Sequence, residues 1–167
     1  MYSYNELSDN SKIWIYQADR VLTKDEVTNI KEQISSFVTN WTAHNRPLKA
    51  FAEIQDNLFV IFFVDENEST ISGCGIDKSV HLIQEIGRQI NVDFFNRMTI
   101  AYKIDDTIYL SGMSELKDLY NSKKISGSTP VFNNTIQTKN EFENSWRIPL
   151  DKSWIISRIQ SNKINVQ

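Results

Sequence analysis

The chain has 167 residues, the length of a single domain, and a formal net charge of −3. Its 40% hydrophobic residues can bury a sizeable core, and the acidic balance argues against non-specific nucleic-acid binding, which needs a basic surface. The longest apolar run, Leu58 to Val64, is too short to cross a membrane, and the polar first ten residues lack the apolar segment of a secretory signal. A single cysteine forms no internal disulfide. We therefore expect a cytoplasmic protein.

Short runs rich in β-branched and aromatic residues alternate with helical patterns over the first 64 residues. Thr23 and Glu26 have the spacing of a capping box, and apolar residues recur at helical spacing after it. Asp56 and Asn57 tolerate positive φ, which favours a hairpin turn. The predicted elements are a strand at 12–18, a helix at 24–40, a loop at 42–47, a half-buried strand at 48–54 and, after the turn, a central strand at 58–64.

The rest of the chain continues this alternation. A second capping box joins Thr138 to Glu141, and Pro149 follows the helix that this box opens. The predicted elements are a helix at about 77–91, strands at 97–104 and 107–110 around an Asp105-Asp106 turn, short helices at 114–120 and 139–146, and an irregular tail from Asp151.

The first six elements follow the order β-α-β-β-α-β, which is the ferredoxin-like, split βαβ pattern of an α+β fold. In that topology strands 1 and 3 are central, in agreement with the apolar strand at 58–64. We expect a single α+β domain over residues 1–167. Residues 1–110 would form the core sheet with one extra strand, and residues 111–167 would decorate it with short helices.

The segment from Ser72 to His81 is the best candidate for a site. Gly73 and Gly75, two of the five glycines, flank the only cysteine, and a helix is predicted directly afterwards. A sharp turn into a helix exposes backbone N–H groups, which bind anions. The leading hypothesis is a small binding domain that holds an anionic small molecule, or an acidic group of a partner, at a Cys74–Ser79 turn. The expected binding residues are Gly73, Gly75, Asp77, Lys78, Ser79 and, from a later loop, Asn133.

A thiol enzyme is the first alternative. The start of a helix favours the thiolate, so Cys74 could act as a nucleophile. Asp77 and His81, four residues apart, could orient an imidazole base, and His44 could supply a second one. Against this hypothesis, buried single cysteines are common and inert, and His81 lies at least one helical turn from Cys74.

A scaffold protein is the second alternative. In that case the two glycines only let the chain turn, Asp77 only caps the helix and Lys78 is only solvated. The aromatic C-terminal segment would then be the useful surface. Trp146 and Trp154 are the expected contacts with a protein partner or with a second copy of the chain.

Nucleotide hydrolysis and metal chemistry are not expected. The segment 72–79 loosely matches the phosphate-loop pattern G-x-x-x-x-G-K-[ST], but Ser72 and Asp77 stand where the glycines belong, and a carboxylate there repels phosphate. Two histidines and one cysteine without ligand spacing do not make a zinc signature. The sequence therefore predicts no metal, no cofactor, and neither a membrane nor a nucleic-acid partner.

Four segments carry a resemblance to other proteins: 14–18, 40–44 with 48–50, 73–81 and 131–134. Together they resemble a family of small proteins of similar length from Bacteroidetes-type bacteria, often labelled "ABC transporter ATPase". The resemblance covers nearly the whole chain and implies that Cys74, Asp77, His81 and His44 mark the region of interest. It does not imply ATPase activity, because a true Walker A motif, a later Walker B strand and a signature segment are all missing. This chain has Gly75 where the family more often has serine.

Overall fold

The computed structural model describes residues 2–43, 46–67 and 70–161. The chain divides into two compact units, Met1–Asn96 with Gln137–Glu143, and Arg97–Ile136 with Asn144–Gln167. Within the described ranges these units contain five α-helices and three antiparallel sheets. The predicted mixture of helices and sheets is thereby confirmed. The single domain over residues 1–167 stays a prediction.

The first unit is built on a three-stranded antiparallel sheet with the strand order β1-β5-β4. All seven residues of β5 are buried, which confirms the predicted central strand. Asp56 and Asn57 both have positive φ, 54° and 51°, so the predicted hairpin turn is confirmed as well. The elements are β1 at Lys12–Gln17, α1 at Lys24–Asn40, β2 at Thr42–Ala43, β3 at Arg46–Pro47, β4 at Lys49–Gln55, β5 at Phe59–Asp65 and α2 at Gly73–Ile90.

Helix α1 has the predicted bounds because its first turn is capped in both directions. Thr23 Oγ1 accepts a hydrogen bond from the Glu26 N–H at 3.3 Å, and the Glu26 carboxylate accepts one from the Thr23 N–H at 2.8 Å. Hydrogen bonds from Arg20 and from the Thr23 backbone lower the pKa of Glu26 to about 2. The buried face of the helix consists of Val27, Ile30, Ile34 and Val38.

Helix α2 begins four residues earlier than the sequence predicts, at Gly73 rather than Asp77. Ser72 is the N-cap, and its hydroxyl accepts a hydrogen bond from the Gly75 N–H at 3.3 Å. The expected Cys74–Ser79 turn is therefore wrong in its local structure, because these residues are helical. The glycines do not break the helix since the serine cap and the tertiary packing of Gly75 offset their low helix propensity.

A short return segment, Gln137–Glu143, also belongs to the first unit. The Ile13 N–H donates to the Gln137 carbonyl at 3.1 Å, and the Lys139 N–H donates to the Ser11 carbonyl at 2.9 Å. Lys139 is 6% exposed, and its ammonium group donates to the Leu7 carbonyl at 2.9 Å. These bonds place the segment against the start of β1, whose outer edge is thereby covered at Lys12 and Ile13.

The second unit is built on a four-stranded antiparallel sheet with the order β7-β6-β8-β9. Its hydrophobic core includes Tyr102, Leu116, Val131 and Leu150. The elements are β6 at Thr99–Ile104, β7 at Thr107–Gly112, α3 at Met113–Asn121, β8 at Pro130–Phe132, β9 at Arg147–Pro149 and α5 at Trp154–Gln160, while α4 at Lys139–Ser145 lies across the boundary of the two units.

Two expectations differ from this arrangement. The ferredoxin-like topology is not confirmed, because the predicted fourth strand is β6 and its partners are β7 and β8 rather than β1. The described part of the tail, up to Ser161, is not irregular: it contains a short 3-10 helix, Leu150–Lys152, and α5, whose Ile155 and Ile159 are buried one turn apart. Among the described residues, no helix is long and apolar enough to cross a membrane.

Candidate functional site

The start of α2 presents backbone donors and a thiol to solvent. Cys74 is exposed, and a Cβ added to Gly73 would meet no atom within 4 Å. Ser72 satisfies the Gly75 N–H, and its carbonyl accepts from the Ile76 N–H at 3.1 Å. No hydrogen bond within the described ranges uses the N–H of Gly73 or Cys74. These two groups are therefore the helix-start donors that a ligand could use.

Two side chains of opposite charge follow the first turn of α2. Asp77 and Lys78 are both exposed, and both lie in the second turn of α2. The first turn itself carries no acidic side chain. An anion at the Gly73 and Cys74 N–H groups would therefore meet the positive end of the helix dipole, with one ammonium and one carboxylate about a turn away.

Two of the predicted binding residues serve the packing of the helix instead. Ser79 is fully buried; its hydroxyl donates to the Ile76 carbonyl at 2.7 Å and lies 3.4 Å from the Tyr16 hydroxyl. Gly75 is buried, and its carbonyl accepts from the Trp41 indole N–H at 2.9 Å. Neither residue faces solvent, so neither can contact a ligand at the exposed helix start.

The expected thiol–imidazole pair does not form along the helix. His81 is exposed and follows Cys74 by seven residues, which corresponds to about 10 Å along the helix axis. No hydrogen bond within the described ranges joins His81 to Cys74 or to Asp77. His44, the other candidate base, lies outside the described residues. The described geometry thus gives Cys74 no base within hydrogen-bonding distance.

Asn133 belongs to the second unit and is engaged there in a local turn. Its side-chain oxygen accepts hydrogen bonds from the Thr135 N–H at 3.3 Å and from the Thr135 hydroxyl at 2.6 Å. Trp146 is 2% exposed, packs on Phe132 and donates its indole N–H to the Asn134 side chain. Of the two tryptophans expected to contact a partner, only Trp154, 52% exposed, can do so in this conformation.

A cleft of about 580 Å³ lies at the opposite end of α2. Gly87 makes it possible, because a Cβ at this position would lie 2.5 Å from the Val92 carbonyl oxygen. Asn91 ends the helix in the left-handed conformation with φ of 52°, and the Val92 N–H donates back to the Gly87 carbonyl at 2.9 Å. The chain therefore turns back tightly, so that the residues after Asn91 form one wall of the cleft.

The lining of the cleft is apolar where it is buried and polar where it is open. Ile83, Val92 and Phe94 are at most 7% exposed. Phe95 is 41% exposed, and its ring meets that of Tyr16 edge-on at 5.7 Å between centroids. The full lining is Asp19, Ile83, Gln84, Gly87, Arg88, Asn91, Val92, Asp93, Phe94 and Phe95.

The charges around the cleft have a net negative sign. Asp19 and Asp93 are exposed carboxylates, and one oxygen of Asp93 also accepts from the Phe95 N–H at 2.8 Å. Arg88 is the cation of the lining, but its guanidinium is held by Glu85 at 2.7 Å. The negative end of the α2 dipole adds little, because the Arg20 guanidinium, itself paired with Glu26, donates to the Ile90 carbonyl at 2.9 Å. A positively charged group is therefore favoured here over an anion.

Comparisons with protein-family models, with curated proteins and with solved structures find no match for this chain. The resemblance to the family labelled "ABC transporter ATPase" thus stays a prediction. Among the described residues, no group of three or more histidine, cysteine, aspartate or glutamate side chains could hold a metal ion.

The cleft was not predicted from the sequence, although two of its lining residues indicate a tight turn at the end of the helix. An asparagine directly after a helical pattern is a common helix C-cap, and Asn91 occupies that position. Gly87 inside the helix is a further sign of close packing. What the sequence does not contain is the direction in which the chain leaves Asn91, and that direction creates the concave surface.

Proposed function

We propose that this chain is a binding protein whose first unit holds a small organic cation with an apolar body in the cleft at the C-terminal end of α2. The observation that carries the proposal is the cleft itself. Its volume of about 580 Å³ lies within the range of about 300 to 1,000 Å³ that is typical of small-molecule sites. A buried apolar lining with a few polar groups at the opening is the usual composition of such sites.

The charges select the class of ligand. Asp19 and Asp93 would pair with an ammonium group, whereas the Arg88 guanidinium is already paired with Glu85. The Phe95 side chain, 41% exposed, would contact the apolar body of the ligand and attract the cation next to it. Because these carboxylates are exposed, each contributes only about 0.2 to 1 kcal/mol to binding.

A pair of probes with the same aromatic body and opposite charge tests the proposal. Phenethylamine and phenylacetate are titrated into isotopically labelled protein, and amide chemical shifts are followed. We expect phenethylamine to shift the resonances of residues 83–95 and to bind about fivefold more tightly than phenylacetate, with the preference weakening at high salt. Equal or tighter binding of phenylacetate would show that the charges do not select the ligand.

Isosteric variants separate charge from shape. Asp19→Asn and Asp93→Asn remove a carboxylate charge, and the second keeps an oxygen that can accept from the Phe95 N–H. Each is expected to weaken phenethylamine binding about twofold to fivefold and to leave phenylacetate binding unchanged or improved. Asp118→Asn, which removes an exposed carboxylate of the second unit, is the matched control. If neither probe moves the resonances of residues 83–95, the cleft is not a binding site.

A second candidate is the anion-binding function expected from the sequence, now located at the first turn of α2. The observation in its favour is the open space at Gly73 next to a first turn without an acidic side chain. Inorganic phosphate should then shift the Gly73 and Cys74 amides, and Lys78→Ala should weaken the effect. Lys24→Ala is the control, because Asp25 and Glu26 already fill the first turn of α1. Unchanged Gly73 and Cys74 amides at high phosphate would exclude this candidate.

A further inference from the structure

The outer edge of β7 is an unpaired strand edge in the second unit. β7 pairs with β6 on one side, and no backbone hydrogen bond within the described ranges joins its other side to another strand. The two-residue turn at Asp105 and Asp106 makes Ile104 and Thr107 a hydrogen-bonded pair, and such pairs alternate along an antiparallel ladder. The N–H and C=O groups of Ile108, Leu110 and Gly112 therefore point away from β6.

This edge lacks the features that usually prevent strand edges from pairing. Natural edge strands are short, carry charged residues or proline, contain bulges or are covered. β7 has six residues, TIYLSG, with no charge and no proline, and its register with β6 is continuous. β9, at the other edge of the same sheet, has three residues and carries Arg147 and Pro149. β7 is thus the edge of this sheet that is suited to accept another strand.

We propose that β7 binds β7 of a second copy of this chain, antiparallel, to form one continuous sheet around a two-fold axis. The outward-pointing residues must face one another to exchange hydrogen bonds, which allows a two-fold axis at Ile108, Tyr109 or Leu110. The axis at Tyr109 is the one that brings two aromatic rings together across the strands. Ile108 of one copy then lies opposite Leu110 of the other, and Tyr109 lies opposite Tyr109 on the axis. The Tyr109 ring stacks on that of Tyr102 at 5.7 Å between centroids and is still 43% exposed, so its open part is available for this cross-strand contact.

Charge complementarity favours this occupant. In the same register Asp106 of each copy lies opposite Gly112 of the other, at the start of α3. Gly112 is the N-cap of α3 and makes no side-chain capping hydrogen bond. The exposed Asp106 carboxylate would therefore lie next to the uncapped, positive end of a nine-residue helix. Glu115, in the first turn of α3, opposes this contact in part. The β7 strand itself brings no charge that would repel its copy.

Charge-swap variants of Tyr109 test both the interface and its register. The full chain is studied by sedimentation velocity over a concentration series. Wild type should associate to a dimer, whereas Tyr109→Lys alone and Tyr109→Glu alone should each raise the dissociation constant about tenfold or more, because like charges then meet on the axis. An equimolar mixture of the two variants should recover association. Gln160→Lys, which adds the same charge at an exposed position of the same unit outside β7, should leave the dissociation constant unchanged.

Hydrogen exchange gives a second readout that needs no variant. The amides of Ile108 and Leu110 should become protected as the protein concentration rises, whereas the Tyr109 amide, which already bonds to β6, should not change. Three results would overturn the proposal: a monomer at about millimolar concentration, a dimer that neither Tyr109 variant weakens, or two weakened variants that the mixture does not rescue. Circular dichroism of each variant confirms that it is folded before these results are interpreted.

Discussion

The two ends of α2 offer different kinds of surface. At the N-terminal end, Gly73 and Cys74 expose backbone donors and a thiol, and a Cβ at Gly73 would meet only open space. At the C-terminal end, Gly87 touches the returning chain, and a cleft of about 580 Å³ opens beside it. The first end has reactive groups without a described cavity, and the second has a cavity without reactive groups. Exposed donors and a thiol at one end of α2 therefore do not imply a binding cavity at that same end.

Replacement of Gly87 by alanine should have the largest effect on this comparison. The added Cβ would lie 2.5 Å from the Val92 carbonyl oxygen, a backbone atom that cannot move without opening the turn at Asn91. We expect a loss of about 3 kcal/mol in the free energy of unfolding, at the upper end of what overpacking usually costs. Urea denaturation monitored by circular dichroism measures the loss.

The same variant links stability to the cleft. If the turn at Asn91 opens, the wall formed by Val92 to Phe95 shifts, and phenethylamine should no longer perturb the resonances of residues 83–95. A Gly87→Ala protein within about 1 kcal/mol of wild type would mean that the turn relaxes easily and that Gly87 does not fix the cleft.

Loss of the serine cap should have an intermediate effect at the opposite end. Ser72→Ala removes the hydroxyl that accepts from the Gly75 N–H and should cost about 1 kcal/mol. Thr23→Ala at the start of α1 is the matched comparison. It should cost at least as much, because Thr23 also belongs to a reciprocal capping box. An unchanged denaturation midpoint for Ser72→Ala would show that other contacts fix the start of α2.

Alanine in place of Gly73 should have a smaller effect and the opposite sign. The added methyl group meets no atom, and the substitution reduces the entropy of the unfolded chain, so we expect a gain of about 0.5 kcal/mol. Gly75→Ala is the control within the same turn, since its Cβ would lie 2.9 Å from Ile71 Cγ1. It should be destabilising, and equal effects of the two substitutions would contradict the packing described for Gly75.

The elements that could be predicted from the sequence are those with local causes. The capping box of Thr23 and Glu26 fixes the start of α1, and two residues that tolerate positive φ, Asp56 and Asn57, fix a hairpin. The start of α2 was predicted too late because Gly75 reads as a helix breaker. In the structure it is a helical residue whose missing side chain allows close contact with Ile71 and whose carbonyl bonds to Trp41. Both partners lie outside the helix.

The site and the topology depend on contacts between distant residues. The residues of β6 do not indicate whether this strand pairs with β1 or, instead, with both β7 and β8. The hydrophobic periodicity of the sequence therefore could not test the predicted ferredoxin-like strand order. The cleft likewise brings Asp19 together with residues 83–95. The residues expected at the Cys74 site were identified from their chemical types, but the sequence could not show that Ser79 is buried or that Asn133 belongs to another unit.

The smallest expected effect concerns the thiol. Cys74 is exposed, so iodoacetamide should alkylate it in the folded protein at a rate within about threefold of that in the unfolded chain. His81→Ala should leave this rate unchanged, because seven residues separate it from Cys74 along α2. A folded-state rate more than about tenfold faster, lost in His81→Ala, would require the helix start to rearrange and would favour the thiol-enzyme alternative. Labelling only after unfolding would instead contradict the exposure of Cys74, and with it the open surface at this end of α2.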